Sequence, residues 1–474
     1  MEYELLENEV EETAPSHGRD LTKGSIPRHL INLSIPLLAG GMVQVVYGLV
    51  NGYWVGNYLG TTATAAVALG MRIFLIMTAA AVGMTTSANI LIAQAYGAKD
   101  WPHLRRVIQN SVVLTLSVSL LCSIACLLVM KNILLIIGAK PDVLKAAVSY
   151  MNIFVWATPI LFLTFLVVAF LRAVGDAITP MYFQIASLIV NAVLDPLLIR
   201  GLYGFPKMGL NGTAVATMTA QMLALVAIII YLQRSKHLVA PDWKHLGVDR
   251  ATTWLMLRIG IPTMIQQSLV FIGISAILSF INKFGNASTA GWGLATRLDQ
   301  FAIFAAMMVG TAVSTVAGQN LGLKQYDRVK QVLRWGLVLA CGLTTIPFMI
   351  AMIIPKPFMH AFIKDPATIS AGVSYLRIVG YIYLMFGVVL VCNGVINAAG
   401  HTAVTTAIAI FYLWAIQIPL AILFTSRTHK LEGIWYAITI SYGLSMVLTI
   451  IYYLSGRWKR DVIHRTPAPL PTEG

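Results

Sequence analysis

The sequence predicts an all-α integral membrane protein, with twelve transmembrane helices in two pseudo-symmetric six-helix lobes, a parallel repeat, around a central cleft. Three observations carry this. The composition is apolar and poor in charge, the apolar stretches are long enough to cross a bilayer, and the two halves match at an offset of about 225 residues.

Of 474 residues, 58% are hydrophobic and 11% charged, with a mean hydropathy of +0.77. A soluble domain carries about 25% charged residues, so this chain has too little charge to coat a water-facing surface. That excludes a soluble enzyme. A span needs ~20 apolar residues, so a dozen consume ~240, and the chain holds them with short loops to spare.

The formal charge of +14 is unevenly placed. Residues 1–20 carry a local balance of −6, which leaves +20 for the remainder. These cations sit singly or in small groups between apolar stretches, as membrane loops require. A continuous basic stripe for nucleic acid is missing. The first apolar stretch, about 30–59, exceeds the ~7–15 residues of a signal-peptide core and is expected to stay as a membrane anchor.

Charged residues and Gly, Pro or Asn clusters bound twelve candidate helices, roughly 31–57, 62–95, 108–137, 147–171, 178–200, 210–233, 251–282, 289–318, 331–355, 370–398, 402–426 and 432–455. The expected organisation is an acidic then basic tail over 1–28, an N-lobe over 29–233, a linker over 234–250, a C-lobe over 251–456 and a tail over 457–474. Alternate loops differ in basic residues. The set containing both termini holds nineteen Lys and Arg and the other set ten, which puts both termini in the cytoplasm.

The halves align residue by residue. Pro36 matches Pro262, Arg72 matches Arg297, and Gln94, Gly97 and Lys99 match Gln319, Gly322 and Lys324. Leu171 to Gly175 then matches Ile396 to Gly400, and Leu210 to Gly212 matches Leu431 to Gly433. Six spans per repeat is an even number, so both halves enter the membrane in the same direction, about an axis along its normal. Two such halves meeting at a cleft are the basis of alternating access.

An ionisable group inside a span costs ~2.5–3.5 kcal/mol on insertion scales and calls for an explanation. Only Asp195 and Asp299 among the nineteen acids fall well inside spans. Asp195 follows Asn191 by four residues, which places amide and carboxylate on one helix face, and Pro196 is expected to kink the helix there. Such a pair binds a proton or offers oxygens to a hard cation; an Asp capping the outer helix end is the plainer alternative. Asp299 lies two residues after Arg297, a pairing that suits a structural or gating cluster as well as substrate or proton contact.

In the first span Gln44, Tyr47 and Asn51 form a polar stripe after Pro36, expected to face the cleft. Gln266 and Gln267 follow Pro262 in the seventh span, and Thr217 offers a hydroxyl in the sixth. Met264, Phe271, Phe301 and others suit a pliable apolar pocket for flat or cationic ligands, or plain helix packing. Cys122, Cys126, Cys341 and Cys392 all lie in apolar stretches and read as packing residues, not as disulfides or metal ligands. The nine histidines are scattered, and neither a phosphate loop nor an HExxH motif is present, which excludes ATP-driven transport by this chain alone.

These residues resemble the multidrug and toxic compound extrusion (MATE) family of prokaryotic type. The likeness covers about 25–455 and rests on Ser34-Ile-Pro36, Val55-Gly56, Ile92 to Gly97, Leu171 to Gly175, Asn191 to Pro196, Gly212 to Thr217 and Gly318 to Gly322. It implies a V-shaped cleft and export driven by proton or sodium antiport. It also implies that Asp195 is the ion-coupling carboxylate, assisted by Asn191, Thr217 and Tyr47, and that Pro36 is the bending point of the first helix. Asn51 stands where prokaryotic relatives commonly have an acid.

The expected function is a secondary antiporter of the cell inner membrane that exports organic, often cationic, compounds, with no cofactor and with a monomer sufficing. A flippase of lipids or lipid-linked oligosaccharides is the alternative. It calls for a cleft rich in cations, whereas Arg72 and Arg297 are the only central arginines. An integral-membrane enzyme would need facing acids, histidines or a nucleophile.

Overall fold

The computed structural model describes residues 18–460 apart from residues 137 and 139. The outer parts of both expected tails, 1–17 and 461–474, therefore lie outside the described residues. The described chain is helical throughout. In order it forms α1 (Ile26–Gly97), α2 (Trp101–Ile136), α3 (Pro141–Trp156), α4 (Thr158–Ala173), α5 (Ile178–Arg200), α6 (Leu210–Arg234), α7 (Arg250–Asn282), α8 (Asn286–Gly322), α9 (Tyr326–Ile353), the short α10 (Pro355–His360), α11 (Pro366–Val379), α12 (Ile382–Ala398), α13 (Thr402–Ile410), a π-helical segment (Phe411–Gln417), α14 (Ile418–Thr428) and α15 (Glu432–Leu454).

Among the described residues nine helical stretches are long and apolar enough to cross a bilayer, and the pairs α3 with α4 and α11 with α12 qualify when each is taken as one bent span. At 72 residues, α1 is ~108 Å long. A hydrocarbon core is about 30 Å thick, so α1 crosses twice, and twelve spans result. Its break is at Gly60, with φ 77 and ψ −169. That backbone region is open essentially to glycine alone.

The chain divides into two compact units, Met1–Ser275 and Ala276–Gly474, so the first part of α7 clusters with the N-terminal helices. Glycine makes this contact possible. A Cβ on Gly83 would lie 2.6 Å from the Gly260 carbonyl oxygen and 2.1 Å from Met264 Cγ, so α1 and α7 meet nearly backbone to backbone. The same unit has a core of Ile73, Met77, Tyr150, Met151 and Phe154 among others, and the second unit one of Leu298, Leu376, Tyr383, Phe386 and Trp435.

The repeat recurs in the backbone. Left-handed residues stand at Gly60 and Gly285, at Lys99 and Lys324, and at Gly175 and Gly400, each pair 225 apart. After α1 the Lys99 amide bonds Tyr96 O and the Asp100 amide bonds Ala95 O; after α8 the Lys324 amide bonds Leu321 O and the Gln325 amide bonds Asn320 O. Both are the reverse turn that closes a helix C-terminus. The bends repeat as well, 50° between α3 and α4 and 47° between α11 and α12. Pro36, Pro196 and Pro262 each lie inside a helix. All four cysteines are free thiols.

The loop before α7 is anchored. The Asp249 amide and the Thr253 hydroxyl both donate to Asn110 Oδ1 on α2, at 3.2 and 3.0 Å. Asp249 in turn accepts from the Thr252 hydroxyl and amide, at 2.6 and 2.7 Å, which hold its carboxyl below the usual aspartate range.

Two outcomes follow from these features. Gly60→Ala and Gly285→Ala should each cost ~1–3 kcal/mol of backbone strain, whereas Gly56→Ala, with open space around its Cβ position, should be neutral or mildly stabilising; thermal unfolding in detergent reads both. Because the folded Asp249 binds its proton less readily than the unfolded one, its helix cap is present above the ordinary aspartate range, about 3.9, and is lost as pH falls through the lowered value. Amide exchange in the first turn of α7 should accelerate over that acid range in wild type and show no such step in Asp249→Ala.

Candidate functional site

The N-terminal unit gathers polar side chains in an otherwise apolar interior. On α5, Gln184, Ser187, Asn191 and Asp195 recur at intervals of three and four residues and so share one face. On α6, Gln221 and Thr217 do the same, as do Gln44, Tyr47 and Asn51 on α1. Gln44, Tyr47, Gln184, Ser187 and Gln221 line one cavity together with apolar residues of α4 and α6.

Farther along the same faces of α5 and α6, Asn191 and Asp195 are completely buried and Thr217 nearly so. The Asn191 amide donates to Asp195 Oδ1 at 3.4 Å and to Thr217 Oγ1 at 3.2 Å. Tyr47 has Thr217, Ser187 and Asp195 as polar neighbours, and Tyr150 of α3 has Thr213, Asn51 and Asp195. The structure thus brings together Asp195, Asn191, Thr217, Tyr47 and Asn51.

What distinguishes this place is a surplus of acceptors. Asp195 Oδ2, Asn191 Oδ1 and Asn51 Oδ1 are buried without a hydrogen-bond partner, as are the Tyr47 hydroxyl, the Ser187 hydroxyl and Gln221 Oε1. Folded proteins pair roughly 90% or more of such groups, and each left unpaired costs ~1–3 kcal/mol. The carboxylate and amide oxygens among them only accept. Hydroxyl, amide and carboxylate oxygens suit a proton or a hard, oxygen-seeking cation such as sodium. Among the described residues no group of three His, Cys, Asp or Glu is placed to hold a metal.

The other candidates are more dispersed. Met264 packs against Gly83, while Gln266, Gln267 and Phe271 are half-buried on α7. Phe301 is exposed on α8. Asp299, in the other unit, accepts hydrogen bonds from the hydroxyls of Tyr375 and Tyr383, the latter at 2.6 Å. Two phenols thus provide the compensation expected of Arg297, whose guanidinium lies over the Phe362 ring. Ser187, Gln184 and Gln221 escaped the sequence reading, although extending the Asn191 and Asp195 spacing back along α5 finds the first two. Tyr150, Tyr375 and Tyr383 join their sites through contacts that no local spacing announces.

Comparison with known proteins decides the family. The MatE family profile matches residues 36–197 and again 262–423, which is more than half the chain and falls once on each repeat. The chain belongs to the MatE family. It is 31% identical over 449 residues to the probable multidrug resistance protein YoeA of Bacillus subtilis, covering 94% of this chain and 96% of that one. It is 28% identical over 444 residues to the probable multidrug resistance protein YpnP of the same organism, covering 93% and 97%. A solved MOP superfamily transporter from Pyrococcus furiosus has the same fold, with a TM-score of 0.85 at 24% identity over 94% of this chain and 98% of that one. Within this MatE chain the site is a feature of the first repeat, since residues 402–428, which follow the matched Gly400 in the second, hold no Asp or Glu.

The hydrogen bond to Thr217 orients the Asn191 amide. Thr217→Val should weaken cation or proton binding by roughly five-fold, the equivalent of one net hydrogen bond of about 1 kcal/mol, and Thr217→Ser should restore it; titration of the purified protein measures this.

Proposed function

We infer that this chain is a multidrug efflux transporter that moves small organic, drug-like compounds and is not an enzyme. Membership of the MatE family and the likeness to the two multidrug resistance proteins of Bacillus subtilis support this. The protein is a multi-pass membrane protein, and the bacterial relatives point to a cell membrane.

The finer reading is antiport. Organic, often cationic, compounds leave in exchange for protons or sodium ions, across the inner membrane, by a functional monomer with both termini in the cytoplasm. Asp195 takes the counter-ion, with Asn191, Thr217, Tyr47 and Asn51 around it. The single observation that supports this is the surplus of buried acceptor oxygens, which a proton or a small cation satisfies.

In the proposed cycle substrate binds from the cytoplasm, the transporter turns outward, and the ion binding at Asp195 favours substrate release and the return. The ion shifts this equilibrium only as far as its affinities for the two states differ. Gln44, Tyr47, Gln184, Ser187 and Gln221 give the ion a polar approach to Asp195 along the N-terminal unit. Gln266, Gln267 and Phe271 of α7 are the proposed substrate contacts beyond it.

Efflux of a fluorescent organic cation from proteoliposomes, under an imposed pH or sodium gradient, tests the reading. Wild type should transport under one gradient, which names the ion, and Asp195→Asn should fall to the level of empty liposomes. Gradient-driven efflux that is indifferent to Asp195→Asn would remove the coupling from this residue. Failure to move any cation, joined to transfer of labelled lipid between leaflets, would turn the assignment to a flippase.

A further inference from the structure

The Asp299 carboxylate joins two halves of one broken span. Tyr375 belongs to α11 and donates to Asp299 Oδ2; Tyr383 belongs to α12 and donates to Oδ1. Between them the span bends by 47°. One oxygen therefore holds each side of the break.

The matched position in the first repeat serves as a control within the same chain. At an offset of 225 residues Asp299 corresponds to Phe74, and Tyr375 to Tyr150. Phe74 packs edge-on against Phe154, at 5.6 Å, and the span there bends by 50° with a phenyl ring in place of the carboxylate. The bend thus needs no acid at this position. An ionisable group in a span is costly, so its presence in the second repeat calls for a role other than shape.

The titratable groups that face Asp299 are phenols. Tyr375 comes from α11, Tyr383 from α12, and Tyr442 from α15, with Tyr412 of the π-helical segment behind Tyr442. Arg297 on its own helix turns to Phe362, and Arg377 of α11 is exposed. From α9, Cys341 packs on Gly387, while Asp327, Arg328, Lys330 and Arg334 occupy its first turns, with Lys330 bonded to Asp327. Glu432 of α15 reaches Ser374 instead.

We propose that Asp299, Tyr375 and Tyr383 form a proton-binding clamp across the broken tenth span, separate from the site at Asp195. As an anion, Asp299 accepts one O–H bond from each half of the span. A proton taken up from solvent adds to one carboxylate oxygen, whose O–H then donates to the phenol oxygen on that side, so that two charge-assisted bonds become weaker neutral ones and that phenol O–H must turn to another acceptor. The tie across the break loosens, and the bend changes. Loss of the proton restores both ties. The proposal goes beyond the antiport reading and does not depend on Asp195.

Infrared difference spectra of the protein in liposomes, stepped from about pH 8 to about pH 5, test it. A protonated-carboxyl band should appear in wild type, vanish in Asp299→Asn and persist in Asp195→Asn. Spin labels at Ser370 on α11 and Val388 on α12, in a cysteine-free background, should change separation over the same step in wild type and stay fixed in Asp299→Asn. If Asp299→Asn does not fold, Tyr375→Phe and Tyr383→Phe should each shift the band. A band lost only with Asp195, a separation that ignores pH, or phenol variants that leave the band in place would each overturn the clamp; failure of gradient-driven efflux in Asp195→Asn alone would leave it standing.

Discussion

A carboxylate in the apolar interior of a helical lobe has to be compensated within reach of its own oxygens, and Asp195 is compensated on one side only. Its Oδ1 receives the Asn191 amide, while Oδ2 has no donor. Much of the N-terminal unit is arranged around that asymmetry. The amide is aligned by Thr217 from α6, the phenols of Tyr47 and Tyr150 approach from α1 and α3, and polar stripes on three helices converge on the place. An apolar core would be the cheaper solution, and the proposed ion binding is what would offset the cost of the unpaired oxygens.

The two repeats show how one backbone plan carries different chemistry. Breaks, left-handed helix ends and bent spans recur at a spacing of 225 residues, because these are set by glycine and by helix termination. The buried acids do not recur. Residues 402–428 of the second repeat hold no counterpart to Asp195, and Asp299 has Phe74 as its own. Duplication thus supplied the scaffold twice, and each half buries its carboxylate at a different point, one beside an amide and a threonine, the other between two tyrosines.

Span number and the repeat were legible because they rest on long apolar runs and on punctuation such as Gly60, Lys99 and Gly175, which act locally. Asn191 with Asp195 was legible for the same reason, since four residues along a helix fix a shared face. Tyr150 and the Asp299 partners were hidden, because Tyr375 and Tyr383 meet Asp299 only through packing across some eighty residues of chain. The two broken spans had no such signal, since their bends of 50° and 47° are at Ala157 and at Gly380 and Tyr381, where one helix stops and another starts. The π-helical segment at Phe411–Gln417 likewise had no signature in the apolar run around it.

The central claim is that the oxygens around Asp195 await a cation or a proton, and binding without any transported compound tests it most directly. Purified protein in weakly buffered solution, followed with a pH indicator and by calorimetry against sodium, should take up one proton or one sodium ion per chain, and Asp195→Asn should abolish that uptake. Uptake of neither ion by wild type, or uptake unchanged in Asp195→Asn, would contradict the account.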